Sequence, residues 1–107
     1  MEERRRHQRL GIELPVILRH RGRIIPATAL NISCGGMYIR ADQQCISNNR
    51  PIEVIFDLSD KDRDVAMRGN ITRVEESGTE TGIGIRFTNL FSLSHKAIER
   101  FLKTRSN

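Results

Sequence analysis

Residues 12–32, IELPVILRHRGRIIPATALNI, decide the fold. Ile12, Leu14, Val16 and Leu18 fall on every second position. A period of two marks a half-buried strand, because successive side chains of an extended chain point to opposite faces. Arg21 and Gly22 then suit the two central positions of a tight hairpin turn, where a positive φ is needed and glycine adopts it without strain. RIIPATALNI (23–32) is a second extended run. Its Pro26 has no N–H for a ladder, which points to an edge or a bulge. With Arg21 and Gly22 at the tip, paired positions sum to 43. Ile12 then faces Asn31, and Leu10 faces Ser33.

Four more runs repeat the pattern. GMYIRA (36–41) sets Met37, Ile39 and Ala41 against Tyr38 and Arg40, and PIEVIFDL (51–58) aligns Ile52, Val54, Phe56 and Leu58. DVAMRGNITRVEE (64–76) aligns Val65, Met67, Gly69 and Ile71, then loses phase near Val74, as at a bulge. TGIGIRF (81–87) sets Ile83, Ile85 and Phe87 against Gly82, Gly84 and Arg86. Six strands with one apolar face each predict a mainly all-β fold, a closed or nearly closed antiparallel barrel. Closure also removes exposed strand edges. SLSHKAIERFLKTR (92–105) differs: Leu93 (or Ser94), Ala97, Ile98, Phe101 and Leu102 recur at helical spacing, behind a serine at either candidate N-cap. The expected organisation is one domain over 1–107: a flexible Arg-rich N-terminal arm (1–10), a barrel (11–90) and a C-terminal helix (92–105).

The net charge is +5, and residues 1–23, with seven Arg and three Glu, carry most of it. Fifteen of the eighteen basic residues are Arg. Its planar fork binds phosphate or a guanine edge in two places at once, which favours an anionic partner. No apolar stretch follows the N-terminal charges, and no run approaches a membrane span. A cytoplasmic, reduced protein is expected, with no membrane insertion.

The hairpin register brings the arm RRRHQR (4–9) beside NISCGG (31–36). Four Arg, an Asn, a Ser and two Gly then share one locus. Arg can pair with guanine O6 and N7, a contact that discriminates by about 1–3 kcal/mol. Asn and Ser supply short donors and acceptors, and Gly lets backbone come close. Taken singly, the first stretch reads as a solvated tail and the second as a strand connection; together they read as a site.

Two motifs carry a resemblance: RxxxR as Arg5 to Arg9, and [D/N]xSxxG as Asn31, Ser33 and Gly36. In this order, followed by short strands and a late GIGIRF, they resemble the PilZ domain family over nearly the whole chain. The resemblance implies a six-stranded barrel that binds the bacterial second messenger cyclic di-GMP in signalling. It implies that Arg5 and Arg9 clamp guanine edges and phosphates, that Asn31 and Ser33 meet a base, and that Gly36 allows close approach. Arg4, just before the motif, is the residue for a second stacked ligand, so two intercalated molecules per domain are expected. Arg6, Gly35 and Arg86 are secondary candidates; Arg86 faces away from Ile85 and Phe87, either to line the ligand face or to meet solvent.

Other residues have plainer readings. Cys34 is a small filler rather than a reactive thiol, Cys45 belongs to core or loop, and Met37 and Met67 belong to the core. His7, His20 and His95 do not share metal-ligand spacing with the cysteines, so no metal or cofactor is expected. Asp60, Asp62 and Asp64 alternate with Lys61 and Arg63, which suits a charged turn better than a cation loop. No catalytic arrangement stands out, so a binding module that signals to an effector protein is expected rather than an enzyme. The competing reading is a small basic barrel for single-stranded nucleic acid, which the shortage of stacking aromatics weakens.

Overall fold

The computed structural model describes residues 9–42, 46 and 50–105. Six antiparallel strands form a closed barrel: β1 (Leu10–His20), β2 (Arg23–Ile32), β3 (Gly36–Asp42), β4 (Pro51–Phe56), β5 (Val65–Ser77) and β6 (Glu80–Phe87). Helix α1 (Leu93–Arg105) follows. The order around the barrel is β1-β2-β3-β6-β5-β4. The last strand therefore inserts between β3 and β5, and β4 closes onto β1.

Arg21 and Gly22 have φ of 53° and 78°, the paired positive values of a type I′ turn. From His20↔Arg23 to Leu14↔Ala29 the pairs sum to 43, as expected. A bulge between Gly11 and Leu14 then shifts the register, so Asn31 faces Gly11 instead of Ile12, and Leu10 faces Ile32 instead of Ser33. Local pattern carries no mark of that extra residue. β1 also starts at Leu10, one position before the expected edge of the barrel. Arg4, Arg5 and Arg6 lie outside the described residues.

Both strand prolines sit where a ladder is one-sided. Pro26 faces Ile17 but lies before Thr28, the first β2 residue paired with β3. Pro15 faces Thr28 but lies outside the β1 segment, Ile17 to Arg19, that pairs with β4. Neither position asks for the missing N–H on its open side. β5 loses phase at a register shift between Ile71 and Arg73, matching the expected bulge.

The inward face is apolar except for His20 and Thr81. Leu18, Ile32, Ile39, Val54, Met67, Ile71 and Ile83 are fully buried, and Met37 nearly so. Each such side chain contributes about 1.5–3 kcal/mol relative to exposure, which is what holds so small a barrel closed. On α1, His95, Ala97 and Ile98 are buried, with Phe101 and Leu102 half-buried against the core. Ser92 Oγ accepts the His95 N–H at 3.1 Å and caps the helix. Leu93 departs from the expected stripe: it is 84% exposed, and Ser94 takes the inner place by accepting the Ala66 N–H at 3.1 Å. Among the described residues no helix is long and apolar enough to cross a membrane.

Candidate functional site

The barrel's cross-strand registers line up an outward row. Gly11 faces Asn31, Asn31 faces Tyr38, Tyr38 faces Gly84 and Gly84 faces Arg73. The inward row beside it is Ile32, Met37, Ile85 and Ile71, so the outer face rests on fully packed core. At one end of the outer row, Arg9 Nη1 donates to Asn31 Oδ1 at 2.7 Å. The second arginine of RxxxR thus touches the first residue of NxSxxG.

Arg9 stands between two hollows. One, of about 450 Å3, is lined by Ser33, Gly35, Gly36, Arg86 and Leu90 as well as Arg9. The other, of about 630 Å3, is lined by Arg9, Asn31, Tyr38, Arg73 and Gly84. Thr72 and Ile85 line both. The described candidates Arg9, Asn31, Ser33, Gly35, Gly36 and Arg86 therefore share one face.

Ser33 shapes this face from beneath. It is 2% exposed, and its Oγ accepts the N–H of Gly35 at 3.1 Å and of Gly36 at 3.2 Å. Its own N–H donates to the Gly36 carbonyl at 2.9 Å. These bonds satisfy the polar groups of a buried turn and fix its shape. Gly36 is required for a contact within the barrel itself. A Cβ there would overlap the Ile85 carbonyl oxygen, so the close approach is between β3 and β6.

The same turn is braced from α1. His95 Nε2–H donates to the Cys34 carbonyl at 2.8 Å, and Nδ1 accepts the Phe91 N–H at 3.5 Å. The carbonyl can only accept, so Nε2 carries a hydrogen. Cys34, His95 and Glu99 bring their donor atoms within 4.8 Å of one another, a grouping that sequence spacing does not reveal. Both ring nitrogens of His95 are already bonded, so the residue acts as a strut between helix and turn. Burial first, and the Glu99 carboxylate second, push the Cys34 thiol up, which lowers its thiolate fraction.

Tyr38, Thr72 and Arg73 were not among the expected site residues. Gly84 has no side chain, and the Arg73 guanidinium lies over the Tyr38 ring at 5.4 Å from its centre. The phenol donates to Glu75 Oε1 at 2.8 Å; that bond is the main reason the Tyr38 pKa lies above its ordinary value, with burial adding to it. Glu75 also pairs with Arg73 at 3.3 Å. A rigid aromatic with a cation above it offers a flat, electropositive edge to a planar anionic ligand. The alternation of TRVEE could have signalled Arg73 as outward, but only the β3-β6-β5 order brings it to Asn31.

Several solved structures share this fold. Inhibitor of motility MotI/DgrA of Bacillus subtilis superposes with a TM-score of 0.80 at 18% identity, over 96% of this chain and 51% of that one. The PilZ domain of YcgR from Escherichia coli, solved with c-di-GMP, gives 0.75 at 14% identity, over 95% and 91%. Borreliella burgdorferi PlzA in complex with c-di-GMP gives 0.66 at 16%, over 92% and 41%. The chain thus spans about half the length of MotI and less than half of PlzA. No curated protein sequence matches it. A barrel with β6 between β3 and β5, with Arg9 bonded to Asn31 on its outer face, agrees with the domain profile that matches residues 3–104: the chain belongs to the PilZ domain family.

Proposed function

We propose that this chain is a cyclic di-GMP receptor, a binding module with no chemistry of its own. The observation that carries the reading is the 2.7 Å bond from Arg9 to Asn31, which joins the two motifs over a face flanked by arginines. Arg9 and Arg5 grip guanine edges and phosphates, since a planar fork pairs with either in two places. Asn31 meets a base edge, while Ser33 and Gly36 hold the turn beneath it. Arg86 and Arg73 add positive charge on either side. The c-di-GMP complexes of YcgR and PlzA support the choice of ligand.

Two hollows meeting at Arg9 favour two stacked ligand molecules, with Arg4 and Arg6 meeting the extra phosphates. Ligand would order the arm (1–10) across the barrel, and an effector protein would read the new surface. Calorimetric titration with cyclic di-GMP tests this. Wild type should saturate at two ligands per chain. Arg9→Ala and Arg5→Ala should each weaken binding by roughly 10- to 100-fold, the value of one charge-assisted contact. Saturation at one ligand removes the stacked pair. No heat and no thermal shift would remove the receptor reading altogether.

A further inference from the structure

A further cavity of about 630 Å3 lies at the end of the barrel where β1, β2, β4 and β5 adjoin the Arg21–Gly22 turn. No residue lining it lines either hollow of the site above. Its wall is a row: Arg19 faces Glu53, and Glu53 faces Arg68. Arg21 reaches in from the turn, and Ile24, 70% exposed, forms an apolar rim. Arg19 pairs with Glu53 at 3.5 Å. Arg21 and Arg68 have no carboxylate partner among the described residues. One carboxylate, Glu53, thus lines the cavity with four arginines, Arg19, Arg21, Arg23 and Arg68, an excess that attracts an anion and that a concave wall strengthens.

The floor adds an independent observation. His20 also lines the cavity, is 2% exposed, and lies with Nδ1 3.2 Å from the Pro51 carbonyl. That carbonyl only accepts, so Nδ1 carries a hydrogen. Nε2 is buried and has no partner. Buried polar atoms are seldom left so, and each one calls for an explanation. The volume falls within the usual range for a small-molecule site, which favours a compact ligand over a polymer.

We propose that this cavity is a second ligand site, for a small phosphorylated molecule bearing hydroxyl groups, of the sugar phosphate or nucleotide class. Arg19, Arg21 and Arg68 hold the phosphate, and Ile24 lies along the carbon skeleton. The site is independent of the cyclic di-GMP reading. The test is an amide NMR titration of the full chain, already saturated with cyclic di-GMP, using ribose 5-phosphate and inorganic pyrophosphate separately. Shifts should gather at residues 19–24 and 68–70, with ribose 5-phosphate the tighter of the two. The double substitution Arg21→Gln and Arg68→Gln, both on exposed side chains, should weaken binding by about tenfold or more at unchanged thermal midpoint. Arg9→Ala should leave it unchanged. The proposal is overturned if neither probe shifts these amides at millimolar concentration, or if the shifts survive the double substitution. It is also overturned if a single-stranded oligonucleotide binds there more tightly than ribose 5-phosphate.

Discussion

Adding one methyl group at Gly36 should cost this barrel a large part of its stability. A Cβ at Gly36 would overlap the Ile85 carbonyl oxygen, and backbone cannot swing aside as a side chain can. β3 and β6 could then not keep the usual spacing of about 4.8 Å at the Gly36↔Arg86 pair. Overpacking of this kind costs about 1–3 kcal/mol. The distortion also strains the bond from the Phe87 N–H to the Gly35 carbonyl, 2.9 Å long, and a lost bond of that type adds about 1 kcal/mol. The sum, about 2–4 kcal/mol, lowers the melting midpoint of a domain this size by roughly 10–20 °C. Gly11→Ala is the matched control. Nothing lies within 4 Å of its added Cβ, and Gly11 does not have a positive φ. That change should be neutral or stabilising, by up to about 1 kcal/mol. Urea unfolding followed by circular dichroism reads both. If Gly36→Ala unfolds no earlier than Gly11→Ala, the close approach of β3 to β6 is not what requires glycine at 36.

Two further outcomes follow from buried polar groups. Thr81 is fully buried and its Oγ1 has no partner, so Thr81→Val should raise stability by about 1 kcal/mol; a loss in denaturant unfolding would show that the hydroxyl is satisfied. In a Cys45→Ser background, Cys34 should alkylate with iodoacetamide more slowly at pH 8 than free cysteine, because its pKa is raised. The unfolded thiol ionises first, so Cys34 contributes stability that is complete below the unfolded pKa and is lost as pH rises through the folded one. Alkylation at or above the rate of free cysteine would refute the protected thiol.

The barrel was legible because each strand states its own face. Alternation from Ile12 to Leu18 and from Ile83 to Phe87 is a local signal that burial leaves intact. The turn at Arg21–Gly22 carried the register as far as Leu14, and the bulge that follows has no local signature. Of the site, Arg9, Asn31 and the Ser33–Gly36 turn were legible through motif spacing. Arg73 and Tyr38 were not, since their meeting depends on β6 lying between their strands. His95 and Cys34 are 61 positions apart and meet only where the helix docks. The choice between Leu93 and Ser94 stayed open because a helical stripe names its neighbours without naming where the first turn leaves the barrel.

The strand order has a consequence for when the binding face can exist. Asn31 and Tyr38 belong to the first half of the chain, Arg73 and Arg86 to the second, and β6 is the piece that joins them. Gly36↔Arg86 spans fifty positions, a contact that forms late because the closure of so long a loop must come first. A barrel still lacking β6 would have the NxSxxG turn with no partner strand at Gly36, and neither hollow would have its far wall. On the proposed receptor reading, ligand affinity would measure completion of the barrel, and a nascent or partly unfolded copy would stay silent to cyclic di-GMP.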